Sequence, residues 1–392
     1  MRPKYTNNKP TGQRKILIVG PVPPPYGGIA TYIKNLIESD IKNRYQLLLF
    51  NTHAPMRAVG ATVVPKRAYS ELFKQGMQRA LLLMRHAFIS FTMYFITLII
   101  RRPHIVHIHT CSFWGFWRSA AYLVAAKATC CKVVFHIHGS IDIFYQKESR
   151  CLGRFLIRKT LNLADINIAL SEELRNFISK ITSAKVVAVH NGIDTDKFCH
   201  QLNVQNKKRV YDKKKRIITI APLCHDKGTF DILKSIPLVT KKQSDILFVF
   251  IGRGSTESFM NICKEQRIEA YTQFMGPVSD EEKIEQLSSA DIFILPSYAE
   301  GQPIAILEAM FFGLPIIASA IGSIPEVIHN GENGYTIKPG DFNALSEKIM
   351  TLISDDELRK RVGLANRRLV EEKYNVKNVF IKVNEIYESL FK

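Results

Sequence analysis

Two carboxylates eight residues apart, Glu300 and Glu308, bracket a Gly301-Gln302-Pro303 turn in the segment SYAEGQPIAILEAM at 297–310. Upstream, ADIFILP at 290–296 is a short apolar run stopped by proline, which predicts a buried parallel strand. Downstream, Ile304 to Phe312 is rich in helix formers and predicts a helix. Glu300 then lies in the loop at the strand's carboxyl end, with the amides of Gly301, Gln302 and Ile304 near a helix start; Pro303 has no N–H to offer. In open parallel sheets that crevice holds ligands, and helix-start amides favour an anion such as a diphosphate. Glu308, about a turn further in, could accept hydrogen bonds from ribose or sugar hydroxyls. The pair suits a polyhydroxylated, phosphate-bearing ligand, although taken alone it could equally be a helix cap and a solvated acid.

The elements that must position this pair are legible as alternation. Apolar strand-like runs start at 16 (ILIVG), 45 (YQLLLF), 105 (IVHIH), 132 (KVVFHIH), 166 (INIAL) and 185 (KVVAVH), separated by helix-length segments. The pattern breaks at the polar, basic stretch 201–216 and restarts at 217 (IITIA), 246 (ILFVFIG), 271 (YTQFMG) and 291 (DIFILP). Parallel sheets covered by helices follow, in two Rossmann-like halves: 1–200, a linker 201–216, 217–375, and a terminal helix 376–392 with aromatic and aliphatic residues at helical spacing. The length of 392 residues and 46% hydrophobic content fit two such cores and exclude global disorder.

Charge is partitioned. Residues 1–200 carry 28 Lys and Arg against 10 Asp and Glu, whereas 201–392 carry 26 against 25. The basic half is expected to face something anionic: a phospholipid surface, a lipid diphosphate or nucleic acid. The opening residues are polar and basic without a cleavable signal, so a cytoplasmic location is expected. Seven cysteines with no Cys-Xaa-Xaa-Cys pair read as reduced and structural. Residues 81–100 (LLLMRHAFISFTMYFITLII) are nearly all apolar, but the uninterrupted part is shorter than the roughly 20 residues of a spanning helix; a buried or interfacial helix is expected, and the strand entry that follows favours burial as the helix of a β-α-β unit.

Other residues could join the chemistry. Gly27 and Gly28 sit between the first strand and its helix, where a backbone can approach a phosphate closely. His104, His107 and His109 lie on one strand and His136 and His138 on another; alternation puts 107 with 109 and 136 with 138, and a zinc site would need the two strands to be neighbours. Lys227, between a strand and a helix, could meet a diphosphate with its ammonium, and Arg253 could add a second charge. The Asp-Xaa-Asp at 194–196 reads as a loop feature rather than a divalent-ion site.

The ordered set PPPYGGIATYIKNL near the start, HIHG at 136, HNGID at 190, DKG at 226, IGRGS at 251 and EGQPIAILEAMFFGLPIIAS with GSIPEV and NGENGYTIKPGD resembles the retaining GT-B glycosyltransferases of family 4, over about residues 15 to 390. The signature of that family, two glutamates separated by seven residues, is matched by Glu300 and Glu308. The resemblance implies two Rossmann-like domains facing each other across a cleft, an acceptor-binding amino half, a nucleotide-sugar-binding carboxyl half, and a last helix that crosses back to the first domain. It implies transfer of a sugar from a UDP- or GDP-sugar to an acceptor hydroxyl with retention, by front-face attack, without a metal cofactor. It assigns His138 and Glu300 to the sugar, Glu308 to the ribose, and the donor to Gly27, Gly28, Asn191, Lys227, Arg253, Gly301, Gln302, Pro303 and Ile304. His107 and His136 fit hydrogen-bonded core positions better. Relatives carry Arg-Leu shortly before the Lys-Gly, and this chain has Pro222-Leu223, so one phosphate cation of the pattern is missing. With the basic amino half, the implied acceptor is a lipid-linked glycan at the inner face of a membrane, with the protein held peripherally there. Two other classes fit fewer residues: a GT-B relative acting on nucleotide sugars without an acceptor, as an epimerase or phosphorylase, and a basic nucleic-acid-binding protein, which the charge partition and the lack of a recognised binding fold disfavour.

Overall fold

The computed structural model describes residues 13–23, 27–52, 85, 87–147, 151–205 and 214–392. The chain divides into two compact units: one of residues 1–169, 177–187 and 384–392, the other of 170–176 and 188–383. Each unit holds one six-stranded sheet.

In the first unit the strands are β1 (Lys15–Gly20), β2 (Gln46–Asn51), β3 (Ile105–Thr110), β4 (Lys132–Ile137), β5 (Ile166–Ala169) and β6 (Lys185–Ala188), in the order β2-β1-β3-β4-β5-β6. The pairs β1–β2, β1–β3, β3–β4 and β4–β5 are parallel. Helices α1 (Gly28–Glu38), α2 (Ile41–Arg44), α3 (87–101), α4 (Trp114–Ala128), α5 (Ile141–Lys147), α6 (Cys151–Leu163) and α7 (Glu172–Ile181) connect them, with part of α7 counted in the second unit. β1 lies between β2 and β3, so the chain reverses its direction across the sheet there, and the glycines at 27 and 28 follow that strand.

The second unit has β7 (Lys215–Ile220), β8 (Ile246–Ile251), β9 (Thr272–Gly276), β10 (Ile292–Leu295), β11 (Ile316–Ser319) and β12 (Gly334–Ile337), in the order β12-β11-β10-β7-β8-β9. Its helices are α8 (Thr195–Gln205), α9 (Thr229–Thr240), α10 (Thr256–Glu265), α11 (Asp280–Ser288), α12 (Ile304–Phe311), α13 (Ile324–Val327), α14 (Phe342–Ser354), α15 (Asp356–Lys373) and the first half of α16 (Val376–Phe391), whose second half belongs to the first unit. Strand residues alternate between two cores: Ile218, Val249, Ile251, Phe293 and Leu295 face one, and Ile217, Phe248, Phe250, Ile292 and Ile294 face the other. Both faces are therefore covered, which is why these strands read as continuous apolar runs instead of alternating ones. Each such fully buried side chain contributes roughly 1.5–3 kcal/mol. Helix starts are fixed locally: Ser279 and Glu282 form a capping box on α11, and Asp341 Oδ1 accepts from Ala344 N at 2.9 Å on α14.

Three features depart from the sequence reading. Residues 188–200, grouped above with the first half, pack in the second unit, where Ile193 bridges to Asn375 and Phe198 lies on Phe311. The stretch 201–216 is not all linker: α8 runs to Gln205 and β7 starts at Lys215, with 206–213 outside the described residues. The apolar stretch at 81–100 was expected to be buried, yet on α3 only Tyr94 and Leu98 are buried while Phe88, Ile89, Phe91, Met93, Phe95, Ile96, Ile99 and Ile100 are exposed; residues 81–84 and 86 lie outside the described residues. A helix that touches the sheet along one stripe buries only the side chains of that stripe.

Candidate functional site

In the second unit, β7 sits between β8 and β10, so its chain direction across the sheet reverses between β7 and β10. Ligands in such sheets bind outside the carboxyl ends of the strands at that reversal. The loop after β7 carries Lys227 in a short 3-10 turn, and the loop after β10 carries Glu300. The two meet: Lys227 Nζ donates to Glu300 Oε1 at 2.7 Å, and Ser297 Oγ donates to the same oxygen at 2.8 Å.

The loops are stitched together besides. Tyr298 N donates to Asp226 O at 2.9 Å, Tyr298 Oη donates to Asp231 Oδ2 at 2.9 Å, and the His225 and Tyr298 rings stack with centroids 4.6 Å apart. Two glycines make this approach possible. Gly228 has φ +69, and a Cβ on it would lie 2.1 Å from Pro296 O; Gly322 has φ +55, and a Cβ there would lie 2.2 Å from Glu300 O. Ser323 N and Oγ both donate to Gly301 O at 2.9 Å. The glutamate loop is thus anchored from the segment after β7 and from the one after β11.

Beyond it, α12 begins at Ile304, with Pro303 as its N-cap. Among the described residues the amides of Gly301, Gln302 and Ile304 meet no hydrogen-bond acceptor. Glu308 is buried, and its carboxylate accepts from Lys283 Nζ of α11 at 2.6 Å. Lys283 escaped the sequence reading: it stands on an otherwise acidic helix, and nothing in its spacing links it to a residue 25 positions away. Tyr298 and Ser297 were missed also, although they lie within the glutamate motif.

Asn191 and Gln302 are hydrogen-bonded to each other. The Asn191 backbone N–H donates to Gln302 Oε1, and Asn191 Nδ2 donates to Gln302 O at 2.8 Å, both residues being buried. They clamp the loop. Arg253 is exposed, and its carbonyl accepts from Leu223 N at 2.7 Å, which sets it beside the Pro222-Leu223 position where the family pattern has arginine.

In the first unit, Gly27 is the N-cap of α1 with φ −174, Gly28 is its first residue, and a Cβ at either would meet nothing within 4 Å. Among the described residues, no atom requires glycine at these two exposed positions. His138 follows β4 and is buried, with its Nε2 2.9 Å from His109 Nδ1. β3 and β4 are neighbours, with His109 opposite His136. His107 Nδ1 lies 2.6 Å from Tyr387 Oη and His107 Nε2 lies 3.3 Å from His136 Nδ1. Burial holds His107 and His138 down at about 3, and holds His109 and His136 well below the ordinary imidazole value. All four rings are therefore neutral at pH 7, and His138 can act as a hydrogen-bond partner but not as a proton-donating imidazolium. The neighbour condition for a metal is met, since ring nitrogens of His107, His109 and His136 come within 4.8 Å of one another. In the structure the rings are held by the His107–Tyr387, His107–His136 and His109–His138 hydrogen bonds. Asp196 of the Asp-Xaa-Asp pairs with Lys377 instead, and Asp194 Oδ1 accepts from Lys197 N at 3.0 Å.

Comparison with known proteins falls in line with this geometry. Residues 201–369 match the model described as glycosyl transferases group 1, and residues 26–197 match that described as glycosyltransferase family 4. The chain is 27% identical over 261 residues to N-acetyl-alpha-D-glucosaminyl L-malate synthase of Bacillus anthracis, covering 65% of this chain and 67% of that protein. It is 27% identical over 242 residues to the capsular polysaccharide biosynthesis glycosyltransferase CapM of Staphylococcus aureus, covering 57% and 62%. The chain thus spans about two thirds of the length of these relatives. Among solved structures, Anabaena HepE in complex with UDP-glucose superposes with a TM-score of 0.70 at 16% identity, covering 96% of this chain and 99% of that one. Two parallel six-stranded sheets, a glutamate pair at the reversal point of the second, and family matches over both halves make the chain a member of glycosyltransferase group 1/family 4 with the GT-B fold.

Proposed function

We propose that the protein transfers a sugar from a nucleotide diphosphate sugar, UDP- or GDP-linked, to a hydroxyl of a lipid-linked or other glycan acceptor, with retention of the anomeric configuration and without a metal. The observation that carries the reading is the Lys227–Glu300 pair at the β7/β10 reversal, beside amides of Gly301, Gln302 and Ile304 that meet no acceptor among the described residues. The UDP-glucose bound to HepE and the capsular polysaccharide role in the name of CapM support the donor and acceptor classes.

Breaking the bond between the anomeric carbon and the diphosphate oxygen leaves positive charge on the sugar and negative charge on the leaving group. The α12 amides, the dipole of that helix and the Lys227 ammonium stabilise the leaving diphosphate. Gly27 and Gly28 leave room for it at the start of α1, and exposed Arg253 adds a mobile cation in place of the absent arginine. Glu300, oriented by Lys227 and Ser297, accepts from sugar hydroxyls. Glu308, oriented by Lys283, accepts from the ribose. Neutral His138, its Nε2 bonded to His109, offers its other ring nitrogen to the sugar. The leaving phosphate takes the proton of the attacking hydroxyl, so no protein base is assigned. The charge of the amino half points to an anionic lipid surface on the cytoplasmic side, where lipid-linked acceptors are presented.

A panel of UDP- and GDP-sugars, screened by thermal stabilisation and followed by calorimetry on Glu308→Ala, tests the reading. At least one nucleotide sugar should stabilise the native protein, and the variant should bind it more weakly. An unchanged dissociation constant would remove the ribose role. Product analysis with and without acceptor separates transfer from epimerisation or phosphorolysis.

A further inference from the structure

Large apolar side chains that face solvent concentrate in the first unit. On α3, Phe88 is 73% exposed, Ile100 69% and Ile99 51%, with Ile89, Phe91, Met93, Phe95 and Ile96 exposed beside them. On α4, Trp114 is 83% exposed and Val124 53%, and on α6 Leu152 reaches 67% with Phe155, Leu156 and Leu163 also exposed. These three helices share one side of the sheet. α3 leads from β2 to β3, α4 from β3 to β4, and α6 from β4 to β5, all moving the same way along the order β2-β1-β3-β4-β5, so right-handed crossovers put them together. Contacts agree: Tyr94 Oη of α3 donates to Tyr122 O of α4 at 3.1 Å, the rings of Phe91 and Tyr122 stack, and α4 packs on α6.

The sequence around this apolar face is mostly basic, although Lys127 and Lys132 pair with Asp165 just past α6. Residues 72–141 contain eight Lys and Arg and no Asp or Glu. Arg85 and Arg101 are helical residues on either side of the apolar run, Arg102 follows the helix, and Arg154, Arg158 and Lys159 alternate with the apolar residues of α6. Aliphatic and phenyl groups bounded by cations, with an exposed tryptophan, match the layers of a bilayer edge: hydrocarbon, then carbonyl and headgroup, then anionic phosphate. No helix among the described residues is long and apolar enough to cross a membrane.

We propose that the α3–α4–α6 face of the first unit inserts into the outer hydrocarbon of an anionic bilayer, with α3 lying in the membrane plane. This deepens the membrane part of the proposed function and does not depend on the donor chemistry. Adsorption by charge alone and insertion differ in their response to salt: at about 1 M the screening length falls to about 3 Å, which releases an adsorbed protein and leaves an inserted one in place.

The test uses the full chain and vesicles of phosphatidylcholine with phosphatidylglycerol, in a flotation assay at low and high salt. The wild type should stay with the vesicles at high salt. Phe88→Ser, Ile99→Ser and Ile100→Ser together should lower the partition constant by about a hundredfold or more and make the remainder salt-sensitive. These side chains are exposed, so an unchanged melting temperature and unchanged nucleotide-sugar binding check the fold of the variant. In a Trp117→Phe background, brominated lipid should quench Trp114, the one tryptophan left. Release of the wild type by salt, unquenched Trp114, or wild-type partitioning by the triple variant would overturn the inference. So would a triple variant that lowers the mass measured by light scattering while vesicle binding persists, since the face would then be covered by a second copy. Because donor binding is read separately, failure of insertion leaves the nucleotide-sugar reading standing, and loss of donor binding with vesicle insertion intact would sink the latter alone.

Discussion

Acidification should destabilise this protein well above the pH at which carboxylates titrate. His107 and His138 are neutral in the folded chain, with values near 3, against an ordinary 6.5 when unfolded. The sign follows from the direction: the unfolded chain binds protons that the folded one refuses. Stability is therefore complete above about 6.5 and is lost as pH falls from there toward 3. For one such imidazole the loss at pH 5 is 2.303RT·log(1 + 10^(6.5−5)), about 2 kcal/mol, and it is nearly independent of how far below 5 the folded value lies. Two give about 4 kcal/mol, a large part of a typical total of about 5–15. His109 and His136 are displaced the same way and steepen the fall. The side chains packed against the rings from α1 and α16 are Tyr32 and Tyr387, neither of which ionises in this range. Asp165 is raised by burial but lowered more by Lys127, the Val133 amide and Lys132, so its contribution disappears only below its ordinary 3.8, under the lowest pH of the proposed melts. Urea melts at pH 7.5, 6, 5.5 and 5 (about one unit either side of 6.5) should show midpoints falling steadily. In His107→Gln, which keeps a polar partner for Tyr387, the loss between pH 7 and 5 should shrink by about 2 kcal/mol. Equal stability at pH 7 and 5, or an unaltered pH dependence in the variant, would refute the burial argument.

Lys227→Met should weaken nucleotide-sugar binding by about ten- to a hundredfold, as calorimetry would read, because an ammonium bonded to an anion is worth about 1.5–3 kcal/mol; equal affinity would exclude Lys227 from the diphosphate. Gly228→Ala forces a Cβ against Pro296 O at positive φ, and thermal melting should show a cost of about 1–3 kcal/mol together with poorer donor binding; a neutral result would mean that the loop relaxes freely. Turnover of a nucleotide sugar should persist after exhaustive chelation, and a chelator-dependent loss restored by a divalent ion would reject diphosphate stabilisation by amides and ammonium.

The apolar runs beginning at 16, 45, 105, 132, 166, 185, 217, 246, 271 and 291 all correspond to strands; the central ones are buried on both faces, while β2, β6 and β9 are only partly buried. β11 and β12 were not singled out: IIAS and GYTI are four residues long and follow glycine-rich turns, too short for periodicity to show. The glutamates were legible because both lie within one local strand-loop-helix unit. Lys283 and the Asn191–Gln302 clamp were not, since each pairing joins segments far apart in sequence, set by topology alone. The burial predicted for α3 failed for a related reason: hydropathy reports how apolar a helix is, but not how much of it the sheet can cover.

Charge balance at the glutamates decides which groups must hold a diphosphate. Lys227 and Lys283 bring two positive charges, but Glu300 and Glu308 already sit 2.7 Å and 2.6 Å from them. Each lysine is thus already paired with a carboxylate before any ligand arrives, so Lys227 meets a diphosphate while still holding Glu300, and Pro222 adds no further charge. The remaining electrostatic capacity lies in main-chain dipoles at the start of α12, where three N–H groups are available and Pro303 removes only a donor. Because those dipoles carry no titrating group, donor affinity at this site should owe its strength to backbone geometry. That is why the glycines packed against the loop, Gly228 and Gly322, constrain it as tightly as the charged residues do.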